Sequence, residues 1–149
     1  MKISLVTVGK TQDKEIAGVI TDYSSRISRY VGFEFVEVEG DARANDRLLK
    51  VLDKFDRVFL LDERGREYRS MEFADFMNKQ MNSGVKSIAF IVGGPFGFSE
   101  EVKAHPKVKA GGLMSLSQMT FPHDLVRVIF LEQLYRAFTI VKNEKYHHE

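Results

Sequence analysis

The chain has 149 residues, with 22 lysines and arginines against 21 aspartates and glutamates, 44% apolar and 29% charged side chains, and no cysteine. That length supports one domain with a real core. The missing thiols exclude disulfides, thiolate catalysis and cysteine-ligated zinc, and a formal net charge of +1 does not announce a nucleic-acid partner, although a dimer can still build a local basic surface.

Residues 2–8 alternate Ile3 and Leu5 with smaller residues into Val6 and Val8 and predict a buried strand. The apolar run is too short for a secretory leader, and no later stretch is long and apolar enough to span a membrane as a helix, so a single cytoplasmic domain over 1–149 is expected. Residues 13–30 carry Ile16, Val19, Ile20, Tyr23 and Ile27 at helical spacing. A second strand follows over 33–38, then a helix over 43–55 and a third strand over 57–61, ended by the turn Asp62-Glu63-Arg64-Gly65. Ser70 is placed to cap a helix running to Met81, with Phe73, Phe76 and Met77 inward. The fourth strand, 87–92, is apolar throughout from Ile88, as strands covered on both faces are. Ser99 caps a short helix to Ala104, a fifth strand spans 113–116, and Pro122 suits the first turn of a helix reaching Asn143.

The β-α alternation predicts an α/β domain, a mostly parallel sheet with helices on both faces. Ligands of such sheets collect at the carboxyl ends of strands. Three loops leave such ends here: 61–65, 93–97 and 116–121. The last helix is apolar on more than one stripe, from Leu125 through Phe130, Leu134 and Phe138 to Val141. A helix apolar on most sides is buried on most sides, either within its own domain or, the favoured reading, against a second copy.

Several motifs weigh less than they first suggest. Val8-Gly9-Lys10-Thr11 resembles the end of a phosphate-binding loop, but Ser4 stands where that loop needs glycine, so an ATPase or GTPase is disfavoured. Gly93-Gly94-Pro95-Phe96-Gly97 lacks the dinucleotide spacing, and Pro95 removes an amide donor; its glycines still allow backbone to approach a ligand. Ser115, Ser117 and Thr120 have no base spaced to form a triad, and His123, His147 and His148 lack metal-site spacing, so no metal is expected. Asp62-Glu63 reads better as a solvated turn than as a carboxylate pair. Arg64, Arg66 and Arg69 follow a ligand loop and are the better prospects for phosphate contact. Arg136 sits in an apolar helix and needs a partner, with Glu132 one turn earlier as the structural choice.

In combination, Ile91-Val92-Gly93-Gly94-Pro95-Phe96-Gly97, Leu116-Ser-Gln-Met-Thr-Phe-Pro-His123, Leu134-Tyr-Arg-Ala137 and Tyr146-His-His-Glu149 resemble the 23S rRNA pseudouridine N3-methyltransferase family of the SPOUT class. The start, Met1-Lys-Ile to Val8-Gly9-Lys10, is similar too. The chain departs from the family in being slightly shorter, around residues 40–45. The resemblance implies a C-terminal trefoil knot, an exception to unknotted topology, and a homodimer whose knots meet. It implies S-adenosylmethionine as cofactor, held at Leu61, Gly93, Leu116, Ser117, Gln118, Met119, Thr120 and Phe121. The implied substrate is a pseudouridine of 23S rRNA on the assembled ribosome, turned out of its stack. Tyr146 is then expected to stack on the base, His147 to handle a proton or contact phosphate, and Arg136 to orient the substrate. A non-catalytic ribosome-binding module on the same fold is the alternative. Recognition by shape and protein contacts would reconcile an RNA substrate with the near-neutral charge.

Overall fold

The computed structural model describes residues 1–148. In chain order its elements are β1 (Lys2–Val8), α1 (Lys14–Ile27), β2 (Gly32–Val38), α2 (Ala44–Leu52), β3 (Arg57–Glu67), α3 (Ser70–Met81), β4 (Ser87–Val92), α4 (Glu100–Lys103), α5 (Pro106–Gly111), β5 (Leu113–Ser115) and α6 (His123–Val141). The strands form one parallel sheet in the order β2-β1-β4-β3-β5.

Strand alternation assigns each apolar residue to one of two cores. On β4, Ile88, Phe90 and Val92 join a core with α1, α3 and α6, while Ala89 and Ile91 join a second core with α2, α4 and α5. That two-sided cover explains the unbroken apolar run of β4. The first core is aromatic: Phe90 lies 4.8 Å from Phe130 of α6, ring centre to ring centre, and 5.4 Å from Phe59 of β3, and Phe73 of α3 completes the group. Offset and edge-on pairs of this kind add to the area they bury, and they set α3 and α6 against the sheet.

β3 differs from the sequence expectation. It does not end at Leu61 but continues in extended form to Glu67. Leu61 and Arg66 both pair with Met114, so residues 62–65 form a bulge over β5. The polar run that reads as a turn is this bulge. Gly65 is pressed so closely on β5 that a Cβ there would lie 2.5 Å from the Leu113 carbonyl carbon, and a Cβ on Gly111 would overlap the Val58 carbonyl oxygen. Glycine at both points permits the close chain crossing.

Three further differences are local. Ser70 is the first residue of α3, not its cap; Arg69 stands at the cap, its N–H donating to the Glu72 carboxylate at 2.8 Å. The Ser70 hydroxyl instead donates to Gln133. α5, absent from the sequence reading, starts at Pro106 with His105 capping it through the Lys107 N–H. β5 stops at Ser115 and α6 opens after Pro122, which occupies the cap.

Much of the apolar surplus of α6 is absorbed within the chain. Phe130, Leu131, Leu134, Ala137 and Phe138 are buried, and Val126, Val128, Tyr135 and Ile140 pack half-buried around the same core. Leu125 and Val141 stay exposed. No helix among the described residues is long and apolar enough to cross a membrane.

Candidate active site

Where β3 bulges at 62–65, and at the carboxyl ends of β4 and β5, the three segments enclose an open cavity of about 490 Å³, within the range of small-molecule sites, roughly 300–1,000 Å³. Leu61, Gly93, Leu116, Ser117, Met119, Thr120 and Phe121 line it, joined by Val92, Phe98 and, from α6, His123 and Val126. Gln118 belongs to the same loop but is not among the lining residues.

Backbone geometry shapes this cavity. Gly94 and Gly97 close a tight turn, the Gly97 N–H donating to the Gly94 carbonyl at 3.0 Å with Gly97 at φ +71°. Phe96 stands fully exposed at its tip. A Cβ on Gly93 would meet the Phe98 ring at 3.2 Å, so glycine keeps this wall thin. The 116–121 loop is braced from within: the Ser115 hydroxyl donates to the Ser117 carbonyl at 2.9 Å, and the Ser117 hydroxyl accepts from the Met119 N–H at 3.0 Å. The Ser115 and Ser117 hydroxyls thus hold the shape of the loop.

Asp62 at the rim is tied to Arg64, accepting its backbone N–H at 2.9 Å and its Nε–H at 3.2 Å. The side-chain hydrogen bonds from Arg64 hold the Asp62 carboxyl below the ordinary carboxylate range despite partial burial. The three arginines therefore part ways. Arg64 neutralises Asp62, Arg66 lies over the Tyr68 ring at 4.7 Å, and Arg69 reaches a second cavity.

Arg136, Tyr146 and His147 do not line the first cavity. Arg136 stands thirteen residues along α6 from His123, about 20 Å at 1.5 Å per residue. The structure nevertheless gathers the three. Asn143, at φ +56°, turns the chain back beyond α6, and the Glu144 N–H donates to the Thr139 carbonyl at 2.8 Å. The Tyr30 hydroxyl then donates to Glu144 at 2.8 Å. Tyr146 packs edge-on against Tyr135 at 4.8 Å, with the Arg136 guanidinium 5.0 Å over its ring. Arg136 donates to Glu132 at 3.0 and 2.5 Å and contacts His147 Nδ1 at 3.0 Å. The Glu132 ion pair anticipated from the spacing is thus present. Burial, then the neighbouring Tyr23 and Glu132, raise the Tyr146 phenol and keep it protonated. Glu149, the last residue of the motif, lies outside the described residues.

The sequence reading missed Arg127. It is 2% exposed and anchors the first turns of α6 to the ends of β1 and β2. Its Nη1 donates to Thr11 Oγ1 at 2.8 Å and to Glu37 at 3.1 Å, and its Nη2 donates to the carbonyls of Val8 and Gly9 at 3.1 and 3.0 Å. One turn earlier, the Asp124 carboxylate accepts from the N–H groups of Gln12 and Asp13. The signal was present: a cation between Val126 and Val128 needs partners for the same reason as Arg136.

Between the first cavity and the tail cluster lies a second, of about 310 Å³, on the side of β5 facing α3 and α6. Leu116 and Phe121 line both cavities. α6 supplies His123 and Val126 to the first, Ile129 and Gln133 to the second, and Arg136 to the tail cluster. Steps of three and four residues place these on neighbouring turns of one helix. Among the described residues, no group of three histidine or acidic side chains is placed to hold a metal ion.

Residues 1–147 match the family model described as predicted SPOUT methyltransferase. A ribosomal RNA large subunit methyltransferase H from Flavobacterium psychrophilum is 41% identical with 100% of both chains covered, and one from Porphyromonas gingivalis is 44% identical, again over 100% of both. Two solved structures share the fold at 12% identity. One is described as a hypothetical protein (TM-score 0.54, 94% of this chain and 81% of that one). The other is a probable methylase family protein from Haemophilus influenzae (TM-score 0.52, 99% and 70%).

Proposed function

The chain belongs to the SPOUT methyltransferase family, and from that premise we propose that it transfers a methyl group from S-adenosylmethionine to N3 of a pseudouridine in 23S rRNA, on the assembled ribosome of the cytoplasm. The observation that carries the reading is the cavity at the β3 bulge and the ends of β4 and β5. It brings Leu61, Gly93 and the 116–121 loop together at one point, and relatives identical at more than two positions in five are named as ribosomal RNA methyltransferases.

The residues present fit the cofactor. Leu61, Val92, Leu116 and Phe121 offer apolar walls for an adenine ring, the thin wall at Gly93 lets backbone approach it, and Ser117 and Thr120 add small polar groups. When bound, the cofactor supplies an electrophilic methyl on sulfonium, so the protein's task is alignment and exclusion of water. A pseudouridine N3 that accepts a methyl must give up its proton, which would leave to a base or a water. His147, in contact with Arg136, would take that proton or hold a phosphate. Arg136 orients the substrate, and Tyr146, held protonated, offers a face to the base.

The apolar α6 positions left exposed, such as Leu125, support a homodimer in which they meet a second copy. The trefoil knot is part of this reading, supported by the close crossings at Gly65 and Gly111. Calorimetric titration with S-adenosylmethionine, with ATP and GTP as controls, followed by methyl transfer to intact ribosomes, tests it. Selective, saturable binding and transfer are expected. Tyr146→Ala and His147→Ala should abolish transfer while leaving cofactor binding nearly intact, and equal loss of both activities would overturn the tail assignment. No binding by a folded sample would point to a non-catalytic ribosome-binding module.

A further inference from the structure

Building on the methyl-transfer reading, we infer that the second cavity receives the target base and that the side-chain amide of Gln133 identifies it as pseudouridine, through the base's N1–H and O2. The cavity adjoins the cofactor site across Leu116 and Phe121. A methyl donor in one and an acceptor in the other would therefore meet over a single loop. At about 310 Å³ the second cavity suits one nucleoside rather than a second cofactor. Tyr68, Phe73 and Phe121 give it aromatic walls, the lining on which an extruded base stacks. Arg69 at its edge is placed to meet a backbone phosphate.

The hydrogen-bond inventory of Gln133 is specific. A side-chain amide has two acceptor lone pairs and two N–H donors. Gln133 Oε1 accepts from the Ser70 hydroxyl at 2.7 Å, and Nε2 donates to Glu132 at 3.0 Å. A carboxylate only accepts, so the contact with Glu132 fixes which end of the amide is nitrogen. Among the described residues this leaves one lone pair and one N–H, side by side, directed by two fixed neighbours.

Pseudouridine is joined to its ribose through C5, so N1 keeps a hydrogen beside the O2 acceptor. In uridine N1 carries the ribose and has no hydrogen. The spare acceptor and donor of Gln133 complement N1–H and O2 as a pair. N3 lies beyond O2, on an edge the amide does not occupy, and stays free to face the methyl donor. Glu132 also binds Arg136 and Tyr146, so a continuous set of hydrogen bonds joins the base reader to the proposed catalytic tail. Correct seating of the base would thus be felt at Arg136.

The test uses intact ribosomes carrying either pseudouridine or uridine at the target position, the latter from cells lacking the modifying synthase. The wild-type protein, Gln133→Leu and Gln133→Glu are compared for kcat/KM on each substrate, with S-adenosylmethionine affinity and Tm measured alongside. A site built to bond a substrate N–H rejects the analogue lacking it by about 10⁴-fold or more. The wild-type protein is expected to favour pseudouridine by that order. Gln133→Leu should lose most pseudouridine activity and bring the two substrates to within about tenfold, with cofactor affinity and Tm little changed. Gln133→Glu keeps an acceptor for N1–H and lacks a donor for O2, and should fall between. Retention of the wild-type preference by Gln133→Leu, or equal use of both substrates by the wild-type protein, would overturn the inference and leave methyl transfer standing. Failure of the wild-type protein to bind cofactor or to methylate either substrate would overturn both.

Discussion

Replacing Arg127 by methionine removes a buried cation and keeps the bulk of its stem. Four acceptors lose a donor: Thr11 Oγ1, Glu37 and the carbonyls of Val8 and Gly9. Taking one partner from a buried ion pair costs about 3–5 kcal/mol. The low end applies here. Glu37 is 33% exposed, and it still accepts from the Thr11 N–H and hydroxyl, so its charge is partly hydrated after the change. Burial also works against the wild-type cation, lowering its pKa while Glu37 and Asp124 raise it, and its Nε–H has no partner among the described residues. A loss of about 3 kcal/mol is expected, a large share of the roughly 5–15 kcal/mol that holds a domain together. Urea denaturation should show a lower midpoint at unchanged slope, and Tm should fall by about 6–12 °C. Arg127→Lys, a compact ammonium without the planar fork, should lose roughly half as much. Because the clamp holds the turn of α6 that carries His123 and Val126, S-adenosylmethionine affinity should weaken alongside. A loss below about 0.5 kcal/mol, the level of an ordinary surface change, would refute the view that this guanidinium anchors α6.

Two further outcomes follow from other sites. Thr7 is fully buried and its hydroxyl has no partner among the described residues, so Thr7→Val should stabilise the protein by about 1–2 kcal/mol; a lower Tm would show that the hydroxyl is bonded after all. Asp62 has a folded pKa below its ordinary value, so its contribution is present above about pH 4 and is lost as pH falls through the depressed value. The exposed Arg64 limits that contribution to under about 1 kcal/mol. Asp62→Asn should therefore be slightly less stable than the wild-type protein at neutral pH and equal to it in acid, as read from denaturant midpoints across pH. A difference independent of pH would rule the pairing out.

The strands, the helices and the loops at the strand ends were legible in the sequence because each is a local pattern. Apolar alternation marks β1 and β2, a continuous apolar run marks β4, helical spacing marks α1 and α3, and Pro122 marks the entry to α6. Leu61, Gly93 and the 116–121 loop can be grouped from the sequence because parallel strands send their carboxyl ends to one side of a sheet. The missed elements had weaker local signals. α5 is six residues long, fewer than two turns, and ends at Gly111 and Gly112, too short for a helical period to show. The bulge at 62–65 reads as a turn because the pairing of Leu61 and Arg66 with the same Met114 is made by a strand nearly fifty residues away. Arg127 carried the same signal as Arg136, but its partners lie at residues 8–11 and 37.

Composition and pattern by themselves determined an α/β fold without thiol chemistry, with three loops grouped on one side of its sheet and an unusually apolar last helix. Tertiary structure decided the rest. It divided the buried residues between two cores, gathered Tyr146 and His147 around Arg136, which stands about 20 Å along α6 from His123 of the first cavity, and opened a second cavity between them where Ser70 and Gln133, sixty-three residues apart, are hydrogen-bonded. Periodicity reports which face of an element is covered, since burial recurs every two or 3.6 residues. The residues that converge on one point are settled by chain crossings and helix packing, and those contacts join positions with no common pattern.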